Sequence, residues 1–144
     1  MFHAGFPKEG VHAYTAAAAC GTDAGKWLFG RRKFTVLPNA VDANRFRFDP
    51  AARKAVREEL GLGNALVVGH VGRFNDQKNH AFLLEIFREL LKRRPDAHLL
   101  LVGDGFHEKT LRERAKALGG SVLFTGSVPD PERFLAAMDV MALP

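Results

Sequence analysis

From Asp49 onward the sequence alternates helix-period stretches with short apolar runs rich in Val and Leu, separated by breaks that carry Gly or Pro. That alternation belongs to a parallel α/β sheet, because each strand must be followed by a crossover, usually a helix, before the next parallel strand can pair. Asp49-Pro50 sets an N-cap before a first-turn proline, so AARKAVREEL is predicted to be helical until Gly61 stops it. Residues 65–71, ALVVGHV, read as a strand buried on both faces. Phe82, Leu83, Ile86, Phe87, Leu90 and Leu91 recur at three-four spacing and predict an amphipathic helix with that stripe on the core. Lys92, Arg93 and Arg94 end it before Pro95.

The same reading continues to the last residue. AHLLLVG, residues 97–103, is a second buried strand, and Leu111, Ala115 and Leu118 mark one face of a helix expected to close at Gly119-Gly120. SVLFTG is a third strand. Asp130-Pro131 repeats the cap-plus-proline device ahead of a Phe134, Leu135 and Met138 stripe, and DVMALP begins a fourth strand. A strand that ends without its crossover helix leaves one sheet face uncovered, so the 144-residue chain is expected to be an incomplete domain. In the first 48 residues, TAAAACGTDAGKWLF reads as a helix, KFTVLPN as a strand and VDANRF as a connection.

Composition narrows the function classes. With 47% apolar residues the chain can bury a core. It has no run of about 18 apolar residues, and its first ten residues, MFHAGFPKEG, lack a signal-peptide plan. A cytoplasmic setting is expected, with peripheral contact to the inner membrane left open. The single cysteine, Cys20, excludes an internal disulfide and is expected to be a small buried hydrophobe. A net charge of +5 suits anionic partners, among them nucleotide phosphates, nucleic acid and acidic membranes. Nucleic acid is disfavoured, since no aromatic interleaving or known motif accompanies the charge. Histidines 3, 12, 70, 80, 98 and 107 show no metal-ligand spacing, and no metal is expected. His70 and His98, on apolar strands, are expected to be satisfied core or sheet residues. His80, at a helix start, could equally pack or touch an anion. Trp27 and most phenylalanines fall at core spacing.

The informative stretch is GRFNDQKNH, between the strand ALVVGHV and the following helix. Open α/β sheets bind ligands beyond the carboxyl ends of their strands, where a helix N-terminus also favours an anion. Arg73 and Lys78 in that loop could by themselves be solvated surface charges, which are common on loops, but they also suit a diphosphate: the guanidinium can bridge two oxygens, the ammonium adds a mobile charge, and Gly72 lets the backbone come close. Neither a Walker sequence nor G-x-G-x-x-G is present. A second loop, GDGFHEKTL, brings Gly103, Asp104 and Gly105 to the same edge, although Asp104 could instead cap a helix. A third loop, GSVPD, brings backbone groups around Val128, which could meet a nucleobase.

In the order VLPNAVDANRF, VGRFNDQKNH, LLLVGDG, VLFTGSVPD and FLAAMDVMALP, residues 15–144 resemble the group 1 family of retaining glycosyltransferases with GT-B architecture. QKNH with AGKWLFG is most similar to members that build bacterial exopolysaccharide or capsule. The resemblance implies a Rossmann-like three-layer parallel sheet, incomplete here, forming part of the C-terminal domain of such an enzyme. Residues 1–36 would then end the N-terminal acceptor domain, 37–48 would connect, and 49–144 would begin the nucleotide-sugar domain. It further implies a UDP- or GDP-type sugar donor, transferred with retention to a glycan or lipid-linked acceptor without a cofactor. Arg73 and Lys78 would match the G-R-x-x-x-x-K loop holding the donor diphosphate. The pattern departs at Ala40 and Asn79, where the family often has Gly, and nothing matches the family's later glutamate motif. The fragment alone is therefore expected to be inactive. An alternative from a different class is a non-catalytic α/β module that associates, with itself or a partner, through its unfinished sheet edge.

Overall fold

The computed structural model describes residues 15–144; the N-terminal decapeptide, His3 and His12 lie outside the described residues. The chain divides into two compact units, one up to Ala43 and the other Asn44–Pro144.

In the first unit, β1 (Ala18–Ala19) pairs in parallel with β2 (Thr35–Val36) across α1 (Thr22–Phe29). The helix expected over TAAAACGTDAGKWLF starts only at Thr22. Alanine has the highest helix propensity, but propensity yields to tertiary pairing, and here the run is extended because Thr35 N–H donates to the Ala17 carbonyl and Leu37 N–H to that of Ala19, each at 2.9 Å. Cys20, on the turn between β1 and α1, is exposed rather than buried.

The second unit contains α2 (Pro50–Glu59), β3 (Val67–Val71), α3 (His80–Leu91), β4 (His98–Val102), α4 (Glu108–Ala115), β5 (Val122–Gly126), α5 (Pro131–Ala137) and β6 (Val140–Met141). Asp49 caps α2 as expected, its carboxylate accepting from the N–H groups of Ala51 and Ala52 at 2.8 and 3.2 Å. Asp130 does not cap α5; its carboxylate holds the Arg133 guanidinium at 3.0 Å, which takes it from the helix amides.

All four strands run parallel in the order β5-β4-β3-β6. Alternate residues of each strand feed opposite faces. Leu99 and Leu101 pack with Leu83, Leu84, Phe87 and Leu111 of α3 and α4, whereas Leu100 and Val102 pack with Val56, Phe134 and Ala137 of α2 and α5. This is the three-layer Rossmann-like sheet anticipated from the sequence. The buried face of α3 is narrower than its apolar stripe: Leu83, Leu84 and Phe87 are buried, but Phe82 and Ile86 are 49% and 46% exposed. The helix expected to reach Gly119 ends at Ala115 and continues as a 3₁₀ turn, Lys116–Ser121, from which Leu118 still packs on the core.

The crossover from α5 to β6 is held by two arginines of α2. Arg53 donates to the carbonyls of Ala136, Ala137 and Met138, satisfying the orphan end of α5. Arg57, 8% exposed, donates to the carbonyls of Gly63, Ala65 and Ala137 and to Asp139. Burial raises the proton affinity of the Asp139 carboxyl, but the Val67 N–H and the two guanidiniums outweigh it and hold the group below the usual carboxylate range. No helix of the described residues is long and apolar enough to cross a membrane.

Candidate functional site

After β3 the next strand lies on one side and β6 on the other, so the strand order reverses at the carboxyl end of β3. A reversal of this kind is where open α/β sheets place their ligand crevice. The loop after β3 and the loop after β4 are joined edge to edge. Gly72 N–H donates to the Val102 carbonyl at 2.9 Å, Phe74 N–H to that of Asp104 at 2.6 Å, and His107 N–H to that of Phe74 at 3.2 Å. Two glycines permit this closeness: a Cβ on Gly103 would lie 2.2 Å from the Gly72 carbonyl oxygen, and one on Gly105 2.5 Å from that of Phe74. Phe74, fully buried, anchors the joined loops from below.

Beside this seam is an open hollow of about 300 Å³, bounded by Gly72, Arg73, Gly103, Asp104 and Val128 together with Ser127 and Pro131. Lys78 is not in its wall, but its side chain lies over Gly72, where a Cβ would meet Lys78 Cε at 3.5 Å. The structure thus gathers five of the six sequence-predicted residues at the carboxyl ends of β3, β4 and β5, with Lys78 beside Gly72 and outside the wall. Among the described residues, Arg73 and Lys78 are exposed and have no ion-pair or hydrogen-bond partner. Asp104 presents its carbonyl to Phe74, and α4 has no side-chain cap, so the alternative role as a helix cap is not taken up.

Beneath the loop, His70 donates from Nδ1 to the Ala142 carbonyl at 2.8 Å, tying the exit of β6 to β3. Its Nε2 is buried without a partner and 3.0 Å from the position of a Gly72 Cβ, so any larger residue at 72 would press on the ring. His80 is 3% exposed and lies edge-on to His70 and Phe74, each at 4.6 Å between ring centroids. It packs under the loop rather than facing the hollow. Burial first, then the charges of His70, His107 and Lys78, lower its pKa from 6.5 to about 4, so the ring is neutral at pH 7. His70, His80 and His98 each keep a buried ring nitrogen without a partner, so neither strand histidine is fully satisfied.

The family described as "Glycosyl transferases group 1" matches residues 65–144. The protein EpsF of Bacillus subtilis (strain 168) is 37% identical over 140 residues, covering 90% of this chain and 36% of EpsF. The chain belongs to the group 1 glycosyltransferases. A GDP-mannose-dependent alpha-(1-6)-phosphatidylinositol monomannoside mannosyltransferase of Mycolicibacterium smegmatis is 39% identical over 112 residues, 75% of this chain and 29% of that protein. The crystal structure of Anabaena Alr3699/HepE in complex with UDP matches with a TM-score of 0.71 and 28% identity, over 89% of this chain and 37% of that one. The chain spans about a third of the length of the curated relatives it matches.

In this group 1 glycosyltransferase several site features escape sequence reasoning. Phe74, between Arg73 and Asn75, looked like another packing residue, yet it pins two loops together. The contact of His107 Nε2 with Asp76 Oδ1, 2.8 Å, joins residues 31 apart, and nothing in either local sequence marks it. Phe106, beside Gly105, is 95% exposed, and Phe46 and Phe48 are exposed too, against the expectation of packing. Among the described residues no group of three His, Cys, Asp or Glu could hold a metal ion.

Proposed function

We propose that this chain contains the donor-diphosphate grip of a glycosyltransferase that takes its sugar from a nucleoside diphosphate. The observation that carries this reading is the pairing of Arg73, in the wall of the hollow, with Lys78, laid over Gly72 at the same strand exit and unpaired among the described residues. Two exposed cations left uncompensated beside a close-approach glycine suit a compact dianion. The guanidinium fork matches phosphate oxygens, and the ammonium adds charge from above. Gly72, Gly103 and Asp104 would bound the diphosphate, and the backbone at Val128 would meet the base. HepE crystallises with UDP and with UDP-glucose, and the mycobacterial relatives are named for GDP-mannose. A UDP or GDP donor is accordingly the class to test.

In the proposed reaction the anomeric carbon keeps its configuration, and the cations stabilise the departing diphosphate as its charge develops, with no cofactor and no metal. The acceptor would be a glycan or a lipid-linked glycan of the exopolysaccharide kind, reached in the cytoplasm or at the inner face of its membrane. Residues 1–36 would close the acceptor domain, residues 37–48 would connect, and the 144-residue chain alone would bind donor without turning it over.

Titration calorimetry with UDP and GDP tests the assignment. Arg73→Ala and Lys78→Ala should each weaken binding by roughly 10- to 100-fold, the loss of a charge-assisted phosphate contact. A folded chain indifferent to both nucleotides, or bound equally well by both variants, would refute the grip. The alternative, association through the sheet edge, has one observation in its favour: Val140, Met141 and Leu143 are 51%, 46% and 73% exposed. Sedimentation independent of concentration would dismiss it.

A further inference from the structure

The walls of the hollow are not held equally. The loops after β3 and β4 are fastened to each other by backbone hydrogen bonds at Gly72, Phe74 and His107. The third wall, which carries Ser127, Val128 and Pro131, has backbone anchors only at its two ends. Gly103 N–H donates to the Gly126 carbonyl at 2.8 Å, and Arg133 N–H to the Asp130 carbonyl at 3.2 Å. Between those ends, among the described residues, the bond that reaches the wall comes from far away in sequence. Arg45 donates from a terminal nitrogen to the Pro129 carbonyl at 2.9 Å, and its fork closes on both Glu132 oxygens, from Nε at 2.9 Å and from the terminal nitrogen at 3.0 Å.

This fork has the planar two-point geometry that fixes orientation as well as distance. Glu132 sits in the first turn of α5, its side chain 20% exposed, so the carboxylate is a fixed post rather than a waving surface charge. Arg45 also stacks over the Phe46 ring, 5.6 Å from its centroid, which limits its own rotamers. Its place in the chain matters as well. The second compact unit begins at Asn44, so the residue that ties down the third wall is the neighbour of the point where the chain passes from one unit to the next.

We propose that Arg45 is a positioning residue of the donor site: it sets the Val128 wall at the nucleoside end, so that grip on the base depends on the docking of segment 44–48. The inference rests on the donor-site reading above. It predicts a split between the two ends of the ligand, since the hydrogen bonds of Arg45 to Pro129 and Glu132 fasten the wall near Val128, away from Arg73 and Lys78.

The test is calorimetry on the 144-residue chain with UDP, GDP and inorganic pyrophosphate, using Arg45→Ala, Arg45→Lys and Glu132→Gln. Arg45→Ala should weaken the preferred nucleotide about tenfold, as for a lost two-point ionic contact, while leaving pyrophosphate within about twofold, because Arg73 and Lys78 are untouched. Arg45→Lys should recover only part of the loss, since an ammonium cannot make the fork. The double variant Arg45→Ala/Glu132→Gln should be no worse than Arg45→Ala. Hydrogen exchange guards against a global effect: the Arg133 amide, bonded to the Asp130 carbonyl, should exchange faster in Arg45→Ala while those of Gly72, Phe74 and His107 keep their protection. Equal losses for nucleotide and pyrophosphate, or an Arg45→Ala variant matching the parent on both, would overturn the proposal and leave the donor site standing. A parent chain that binds neither pyrophosphate nor any nucleotide would overturn the donor site, and this proposal with it.

Discussion

Gly103→Ala strikes the seam that builds the hollow, and its cost can be worked out from two separate facts. The backbone at Gly103 has φ +132°, a region that side-chain-bearing residues rarely adopt, and holding alanine there costs about 1–3 kcal/mol. The added Cβ would also lie 2.2 Å from the Gly72 carbonyl oxygen. That oxygen is backbone and cannot rotate away, so the two loops must part by about 1 Å to restore ordinary contact. Parting strains the Gly72 to Val102 and Phe74 to Asp104 hydrogen bonds, 2.9 and 2.6 Å long, and losing one of them adds about 1 kcal/mol. The sum is about 2–4 kcal/mol, a fall in Tm of roughly 10–25 °C for a domain near 100 residues. Thermal unfolding followed by circular dichroism measures it, with UDP and GDP titrations in parallel, which should weaken as the walls separate. Gly120→Ala is the control, because a Cβ there meets nothing within 4 Å. It should leave Tm level or slightly raised. If Gly103→Ala melts within about 2 °C of the parent and binds nucleotide unchanged, the seam does not determine the shape of the hollow.

Arg57→Ala removes a buried guanidinium that serves three carbonyls and Asp139. It should lower stability by about 3–5 kcal/mol in urea titration, whereas Lys54→Ala, at an exposed pair, should cost under 1 kcal/mol. His80 links stability to pH. Its folded pKa of about 4 lies below the ordinary 6.5, so the unfolded chain binds the extra proton between those values. Its contribution is therefore complete above pH 6.5 and is lost as the pH falls toward 4, a change of about 3 kcal/mol. His80→Phe should flatten that part of the profile in denaturant titrations across pH 4–7; an unchanged slope would place the titration elsewhere.

The apolar pattern was sufficient from Asp49 onward for the order of elements, the parallel sheet and the strand exit bearing Arg73 and Lys78, because a strand buried on both faces reads as a continuous apolar run and a helix buried on one face as a stripe of period 3.6. It also located the loop glycines, since a break between strand and helix demands them. It misjudged the alanine run at 16–19, where pairing with Thr35 and Leu37 outweighed helix propensity, and Asp130, whose carboxylate was taken by Arg133. Cys20, Phe82, Ile86 and Phe106 show the same limit: an apolar side chain declares that it could be buried, not that a partner surface exists for it. Tertiary structure alone decided that Gly103 and Gly105 serve the seam between two loops, that His80 lies under the loop, and that Arg45 reaches Pro129 and Glu132. The physical reason is that these contacts join residues tens of positions apart. Local sequence records the conformation a segment prefers, whereas a contact across the fold is written in neither of the segments that make it.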